Sequence, residues 1–429
     1  MSESKKTTRD IHQSPRGMRD FFGELFYKKQ GFFESAQKIA EYYGFSGIET
    51  PILEHTEIFL KGLDENDDAA KEMYSFETKG GDRLSLRPEG TAPIMRSYIE
   101  HGMGSLPQPL FLYYYGPFFR HEKPQKGRYR QLHQFGLEII GSDKPVFDGI
   151  AIQAGFQILK ESGREIQVKI NTLGDNETRE KYQAALTNFY KENIDHIADK
   201  DKLRLETNPL RILDSKEPQT IEVNKNAPTL ISILNESSKQ HFDQVLTYLD
   251  NAGIPYEIDH ALVRGLDYYT HTVFEFVTYD TDGSASLALG GGGRYDGLAE
   301  TLGHNKSVSA IGLGIGVDRT LEVATDSSFV SQFKSPHTFH LIQFGKGSRE
   351  NSFNIIETFR KHNIPLSQSY TKKNLGSELQ SAEENGYQQV LIFGEDEIKN
   401  NSIRIKNLQT QEQKTIHISE LPEHIKNNR

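Results

Sequence analysis

The chain has 429 residues, with 50 Lys and Arg against 60 Asp and Glu, a formal charge of −10, and no cysteine. That length suggests two to four domains, and the missing thiols exclude disulfides, zinc–thiolate sites, iron–sulfur clusters and thiol nucleophiles. No window approaches the length of an apolar membrane span and the first twenty residues are polar, so neither a transmembrane helix nor a secretory signal is expected, and the expected location is the cytoplasm.

Residues 1–16 form a polar run with Lys5, Lys6 and Arg9 and read as a flexible tail. Phe32, Phe33, Ala36, Ile39, Ala40 and Tyr43 recur at spacings of three and four, which predicts an amphipathic helix ending near Gly44. Residues 45–53 read as a strand broken by Pro51. A strand over 84–87, a turn at Pro88, Glu89 and Gly90, and a helix opened by Thr91 as its N-cap with Pro93 in the first turn come next. The aromatic run Phe111 to Tyr115 leads to Gly116 and Pro117, and residues 131–140 return, so an antiparallel hairpin is expected.

Residues 176–250 are charged and helically spaced and read as a helical insertion. β character resumes at 273–278 and 286–289, followed by four glycines at 290–293 and a glycine-punctuated run over 309–317 that enters a helix. Residues 326–336 read as a linker, and 337–429 as a small α/β domain with strands at 339–344, 389–393 and 402–405 and helices at 350–362 and 375–385.

Four constellations could carry chemistry. The hairpin loop holds Arg120, Lys123, Lys126, Arg128 and Arg130 against the single acid Glu122, a local net of +4 over 118–134 inside an acidic body. By period-two alternation Leu132, Gln134, Gly136 and Glu138 share one face of the returning strand; acceptors beside a glycine would leave room for a small polar ligand. The Glu89-Gly90-Thr91 turn sets a carboxylate, open backbone and a hydroxyl at a helix start, and Arg264 lies ahead of Tyr268 and Tyr269, an arrangement in which a guanidinium can grip a phosphate or carboxylate. Gly290 to Gly293 and the alternating Gly312, Gly314 and Gly316 permit close approach of a ligand or a flat ring, with Arg319 just beyond. No P-loop is present, and the alternating glycines lack the Rossmann spacing.

Taken in this order, the segments resemble the histidyl-tRNA synthetases, which are class II aminoacyl-tRNA synthetases. Residues 26–54 resemble motif 1 with Pro51, 116–138 motif 2 with Arg120, and 310–321 motif 3 with Arg319, while 262–276 and 290–298 resemble the two histidine-specific segments. Gly23 and Asp318 depart from the residues usual at those places, Pro and Glu. The resemblance implies an α+β fold: an antiparallel class II sheet flanked by helices over 17–325, a helical insertion and a C-terminal α/β anticodon-binding domain. It implies a homodimer that joins L-histidine, activated by ATP with Mg²⁺, to histidine tRNA.

On that resemblance Arg120, Arg319 and Glu122 would hold ATP, and Arg264 and Arg120 would be catalytic. Histidine would meet Glu89, Gly90, Thr91, Gln134, Glu138, Arg264, Tyr268, Tyr269, Gly292 and Tyr295, and tRNA would meet Lys123, Gln125, Lys126, Arg128 and Arg130. No dedicated metal cage is expected. The alternatives are a non-catalytic, synthetase-like regulatory subunit of ATP phosphoribosyltransferase, which usually lacks the C-terminal domain, and a class II synthetase for another amino acid.

Overall fold

A computed structural model describes residues 12–61, 72–122, 127–207, 209–213, 215–262, 268–279, 286–331, 338–369 and 374–427. Arg264, Lys123, Gln125 and Lys126 lie outside the described residues. The chain forms two compact units, Met1–Ser331 and Gln332–Arg429.

The first unit is built on eight strands: β1 (Ser46–Gly47), β5 (Leu110–Phe119), β6 (Gln131–Ile140), β7 (Gln167–Thr172), β8 (Tyr256–Ile258), β9 (Thr270–Tyr279), β10 (Ser286–Arg294) and β11 (Ala310–Gly316). Their order is β1-β5-β6-β11-β10-β9-β7-β8, and every pairing from β5 to β7 is antiparallel. Three further strands, β2 (Leu53–His55), β3 (Tyr74–Glu77) and β4 (Arg83–Leu86), make a separate small sheet. The expected strand broken by Pro51 is therefore two strands in two sheets: β1 runs parallel to β5, whereas β2 pairs with β4. Proline has no N–H to donate, so the ladder cannot continue through it.

The expected hairpin is present, in register from Leu110 opposite Ile140 to Phe119 opposite Gln131. On the far face of β6, Phe135, Leu137 and Ile139 are fully buried and pack with Phe32 and Ala36 of helix Gly23–Tyr42 and with Ile152 of helix Pro145–Lys160. Burying one face of β6 sets its register, because a slip of one residue would turn Glu138 into this core. Residues 326–331, the first half of the expected linker, pack into this unit: Phe329 is buried, its ring 5.0 Å from that of Phe32, and Ser331 donates to Glu34.

Helices Asn176–Glu192, Asp199–Thr207, Pro218–Asn224 and Glu236–Asn251 occupy the stretch expected as an insertion. Tyr182, Leu186, Tyr190 and Ile212 form a core there, to which Tyr269, just before β9, and Val273 on β9 also belong. Phe242, Val245 and Leu249 of helix Glu236–Asn251 pack instead in the main-sheet core, so the insertion ends before that helix.

The second unit holds β12 (Phe339–Gln343), β13 (Ser367–Gln368), β14 (Gln389–Phe393), β15 (Ser402–Asn407) and β16 (Gln413–His417), ordered β13-β12-β14-β15-β16. The parallel trio β13-β12-β14 carries buried Leu341, Leu391 and Ile392 between helices such as Phe353–Lys361 and Leu375–Glu384. β13 and β16 have no counterpart in the sequence reading; β16 is mostly exposed and polar, and an edge strand needs little apolar patterning.

Candidate active site

The ligand-facing side of β6 organises the site. At one end Glu138 is 0% exposed and accepts hydrogen bonds from the Thr91 hydroxyl at 2.9 Å and from the Tyr295 hydroxyl. Burial pushes its carboxyl up to about 8; the Tyr295 and Thr91 hydroxyls pull the other way, and the charge of Glu89 adds to the rise. A buried acid of that kind stays protonated near neutral pH, so it can donate as well as accept.

The turn before helix Thr91–Glu100 differs from the sequence expectation. Thr91 is the first helical residue and not the cap; the Glu89 carboxylate receives the backbone N–H of Thr91 at 2.6 Å and of Ala92 at 3.0 Å. Two orphan donors at a helix start and the positive end of its dipole favour an anion there, which leaves the Thr91 hydroxyl to turn toward Glu138. Burial still raises the Glu89 carboxyl, against the backbone bonds and the nearby Arg120.

The glycines do more specific work than the sequence indicated. The room expected beside Gly136 is filled by the Tyr114 ring, and a Cβ on Gly136 would lie 2.1 Å from its Cζ. Likewise the space above Gly312 holds Glu138, whose Oε2 would be 1.7 Å from a Cβ there. Gly292 answers to its neighbouring strand, since a Cβ would meet the Gly312 carbonyl oxygen at 1.9 Å. Gly314 and Gly316 are less crowded: the nearest atoms would lie 3.8 Å and 3.4 Å from an added Cβ, ordinary contact distances.

Beyond these two glycines lies a cavity of about 180 Å³. Arg120, Arg128 and Arg319 line it together with Gln134, Glu122 and Glu275. Arg120 is anchored by donating from Nε to the Pro88 carbonyl at 2.8 Å, and Arg319 by donating to the carbonyls of Gly127 and Ala288 at 2.9 and 3.1 Å. Burial and the neighbouring Arg128 push the Arg319 guanidinium below its usual value, with Arg120 adding to this and Glu122 and Glu275 opposing it. Three guanidiniums held close enough to repel one another make a site that an anion relieves.

Arg128, expected at the tRNA loop, therefore belongs to the cavity wall, 3.7 Å from Glu122. The Arg130 Nε donates to the Glu122 carbonyl, and its stem packs on Gly17.

Tyr268 and Tyr269 stand together with ring centroids 5.0 Å apart, and Tyr268 meets the Tyr295 ring edge-on at 5.9 Å. The Tyr268 hydroxyl is buried without a hydrogen-bond partner among the described residues. An unpaired buried hydroxyl is costly, so it is suited to a ligand.

Sequence reasoning missed three supports. Tyr114 was read only as a strand residue. Asp318, noted only as a departure, accepts from the His133 backbone N–H at 2.6 Å and from Arg19 at 2.7 Å, tying the segment around Arg19 and β6 to the helix Val317–Val323 that carries Arg319. Arg294, 0% exposed, pairs with the equally buried Asp148, which also meets His241 and Thr272 at 2.8 and 2.7 Å. Burial alone would raise Asp148; Arg294 and His241 outweigh it and hold the carboxyl low. Arg294 directly precedes Tyr295, so this pair anchors the strand end that presents the Tyr295 hydroxyl. Pairing across 146 residues leaves no local pattern to find.

The family model described as histidyl-tRNA synthetase matches residues 17–320, and that of an anticodon binding domain matches 342–428. The chain belongs to the histidyl-tRNA synthetase family. A histidine–tRNA ligase of Geobacillus sp. (strain WCH70) is 37% identical over 418 residues, covering 96% of this chain and 98% of that protein. Among solved structures, apo histidyl-tRNA synthetase of S. aureus superposes with a TM-score of 0.80 at 33% identity, covering 96% of this chain and 99% of the other. A Bacillus halodurans protein described as an ATP phosphoribosyltransferase regulatory subunit/histidyl-tRNA synthetase gives a TM-score of 0.64 at 21% identity over 92% of this chain and 100% of its own, a likeness of fold alone. Family membership and full-length relatives favour the ligase over the regulatory subunit, and the fold is the α+β class expected of these synthetases.

Proposed function

We propose that this histidine–tRNA ligase carries out both of its steps on the β6 face, with histidine at the Glu138 end and ATP at the arginine end. The observation that carries the assignment is the continuity of one strand face from a fully buried acid at Glu138, through Gln134, to a cavity walled by Arg120, Arg128 and Arg319. The histidine carboxylate attacks the α-phosphorus of ATP, pyrophosphate leaves, and the acyl group then passes to the terminal ribose of histidine tRNA.

Negative charge grows on the phosphorus oxygens during the first step, so catalysis here is positioning and charge stabilisation. Arg120 meets the α-phosphate and Arg319 the γ-phosphate. Arg264, outside the described residues, is assigned by family resemblance to bridge the α-phosphate and the histidine carboxylate. Glu89, Thr91 and Gln134 receive the α-amino group, with Gly90 leaving room for the Tyr114 ring beside them. Glu138 and Tyr269 bracket the imidazole, and Tyr268 and Tyr295 close the pocket. A site that satisfies both ring nitrogens leaves buried groups unpaired with any isostere, which is how it rejects other amino acids.

Glu122 and Glu275 set two carboxylates among the cavity's guanidiniums, a donor set that fits Mg²⁺ arriving with ATP, because that ion is usually held by one or two carboxylates and the phosphates. Bound there, it would neutralise phosphate charge. Among the described residues no group of three or more His, Cys, Asp or Glu could hold an ion without substrate.

Lys123, Gln125, Lys126, Arg128 and Arg130 are assigned to tRNA by family resemblance. A homodimer is supported by the exposed apolar residues Phe22, Phe26, Tyr42 and Tyr115 on and beside the first helix; sedimentation as a monomer at micromolar concentration would contradict it. A cytoplasmic location accords with the finding that no described helix is long and apolar enough to cross a membrane. The decisive assay is charging of tRNA with each amino acid in the presence of ATP and Mg²⁺. Histidine alone should be attached, and charging of another amino acid at a comparable rate would overturn the pocket assignment.

A further inference from the structure

Tyr114 lies on β5 directly opposite Gly136 on β6, and its side chain is buried. Two residues without side chains make the space for it: a Cβ on Gly136 would sit 2.1 Å from the ring, and one on Gly90 would sit 2.4 Å from it. The ring is thus wedged between the turn that carries Glu89 and Thr91 and the strand that carries Glu138.

Its hydroxyl end, 2.4 Å from a Cβ on Gly136 and 2.7 Å from one on Gly90, is placed beside the Thr91 hydroxyl and the Glu138 carboxyl and also feels the charge of Glu89. Thr91 and Tyr295 already donate to Glu138, so Tyr114 is the third hydroxyl gathered on one carboxyl. With the carboxyl protonated, one of its roughly four hydrogen-bonding positions is its own O–H donor and the others accept. Three hydroxyls fix the orientation of the group and leave about one position for a ligand.

We propose that Tyr114 is a positioning residue for histidine: wedged between Gly90 and Gly136, it holds the Glu138 carboxyl in the one orientation that meets the imidazole. This rests on the reading of Glu138 as the imidazole partner, and the test separates the two. Tyr114→Phe keeps the ring and its packing but removes the hydroxyl, so the fold should survive. With one donor fewer, Glu138 can turn, and its charged form is less well stabilised.

Histidine-dependent ATP–pyrophosphate exchange is the readout, measured for wild type, Tyr114→Phe and Glu138→Gln between pH 6 and 9. Loss of one ordinary hydrogen bond predicts that Tyr114→Phe raises KM for histidine about three- to tenfold, with kcat and KM for ATP within about twofold of wild type. The pH midpoint of kcat/KM for histidine should also move upward. An unchanged KM and an unmoved pH profile in Tyr114→Phe, with Glu138→Gln impaired, would overturn the role of Tyr114 alone. Normal histidine kinetics in Glu138→Gln would overturn the reading of Glu138 beneath it. Gly136→Ala supplies an independent arm: it must displace the ring, so its KM for histidine should rise at least as far, and wild-type kinetics there would refute the wedge.

Discussion

The two ends of the β6 face hold their polar groups by opposite means. At the Glu138 end a fully buried carboxyl is surrounded by hydroxyls and glycine-cleared space, with its charge suppressed. At the other end Arg120 keeps 33% of its side chain exposed, and three guanidiniums share a cavity lined by two carboxylates. On the proposed placement of histidine and ATP, the contrast suits the two ligands. A small, weakly basic ring is distinguished by direction and fit, which desolvation sharpens, whereas a triphosphate is gripped by charge, which tolerates water.

That contrast can be broken from either end. The largest effect is expected from Arg319→Ala, which removes a charge anchored to two carbonyls at the phosphate end. An arginine that stabilises phosphoryl transfer in other systems is worth roughly 10³-fold or more in rate. Exchange should fall by about that factor while histidine affinity, read by calorimetry, stays near wild type; an equal loss of both would erase the division of labour.

Next is Asp148→Asn, which strips the buried Arg294 of its charge partner. Breaking such a pair costs about 3–5 kcal/mol, to be read from urea denaturation; a loss under about 1 kcal/mol would mean Arg294 finds other support. Glu138→Gln should be milder in stability but selective in function, raising KM for histidine by about tenfold or more and leaving KM for ATP unchanged.

The smallest effect sharpens the claim that Glu138 is neutral in the fold. Its carboxyl ionises near 4.5 when unfolded and at about 8 when folded. Between those values the unfolded chain has released a proton that the folded chain retains, so this group weakens stability as pH rises from 5 to 8. The Glu138→Gln variant has no such proton. Its melting temperature relative to wild type should climb across that window, and a constant difference would show that the buried acid does not hold its proton.

Much of this site was legible in the sequence because it is periodic or local. Alternation along residues 132–139 separated Gln134 and Glu138 from Phe135 and Leu137, and the structure keeps that separation. Pro51 marked a break, though only tertiary pairing shows that the break divides two sheets. What could not be read was occupancy of space. A glycine announces that something comes close, but whether the visitor is a ligand or Tyr114 depends on a residue 22 positions away whose ring direction no pattern records. Asp318 and Arg294 were hidden for the same reason, since their partners Arg19 and Asp148 are remote in the chain.

Tyr269 and Val273 lie in the same apolar cluster as Tyr182, Leu186 and Tyr190. The helical insertion is therefore no detachable module. Cutting it out would expose one wall of the proposed amino-acid pocket to water, so any shortened descendant of this chain would need to rebuild that wall before it could dispense with the helices.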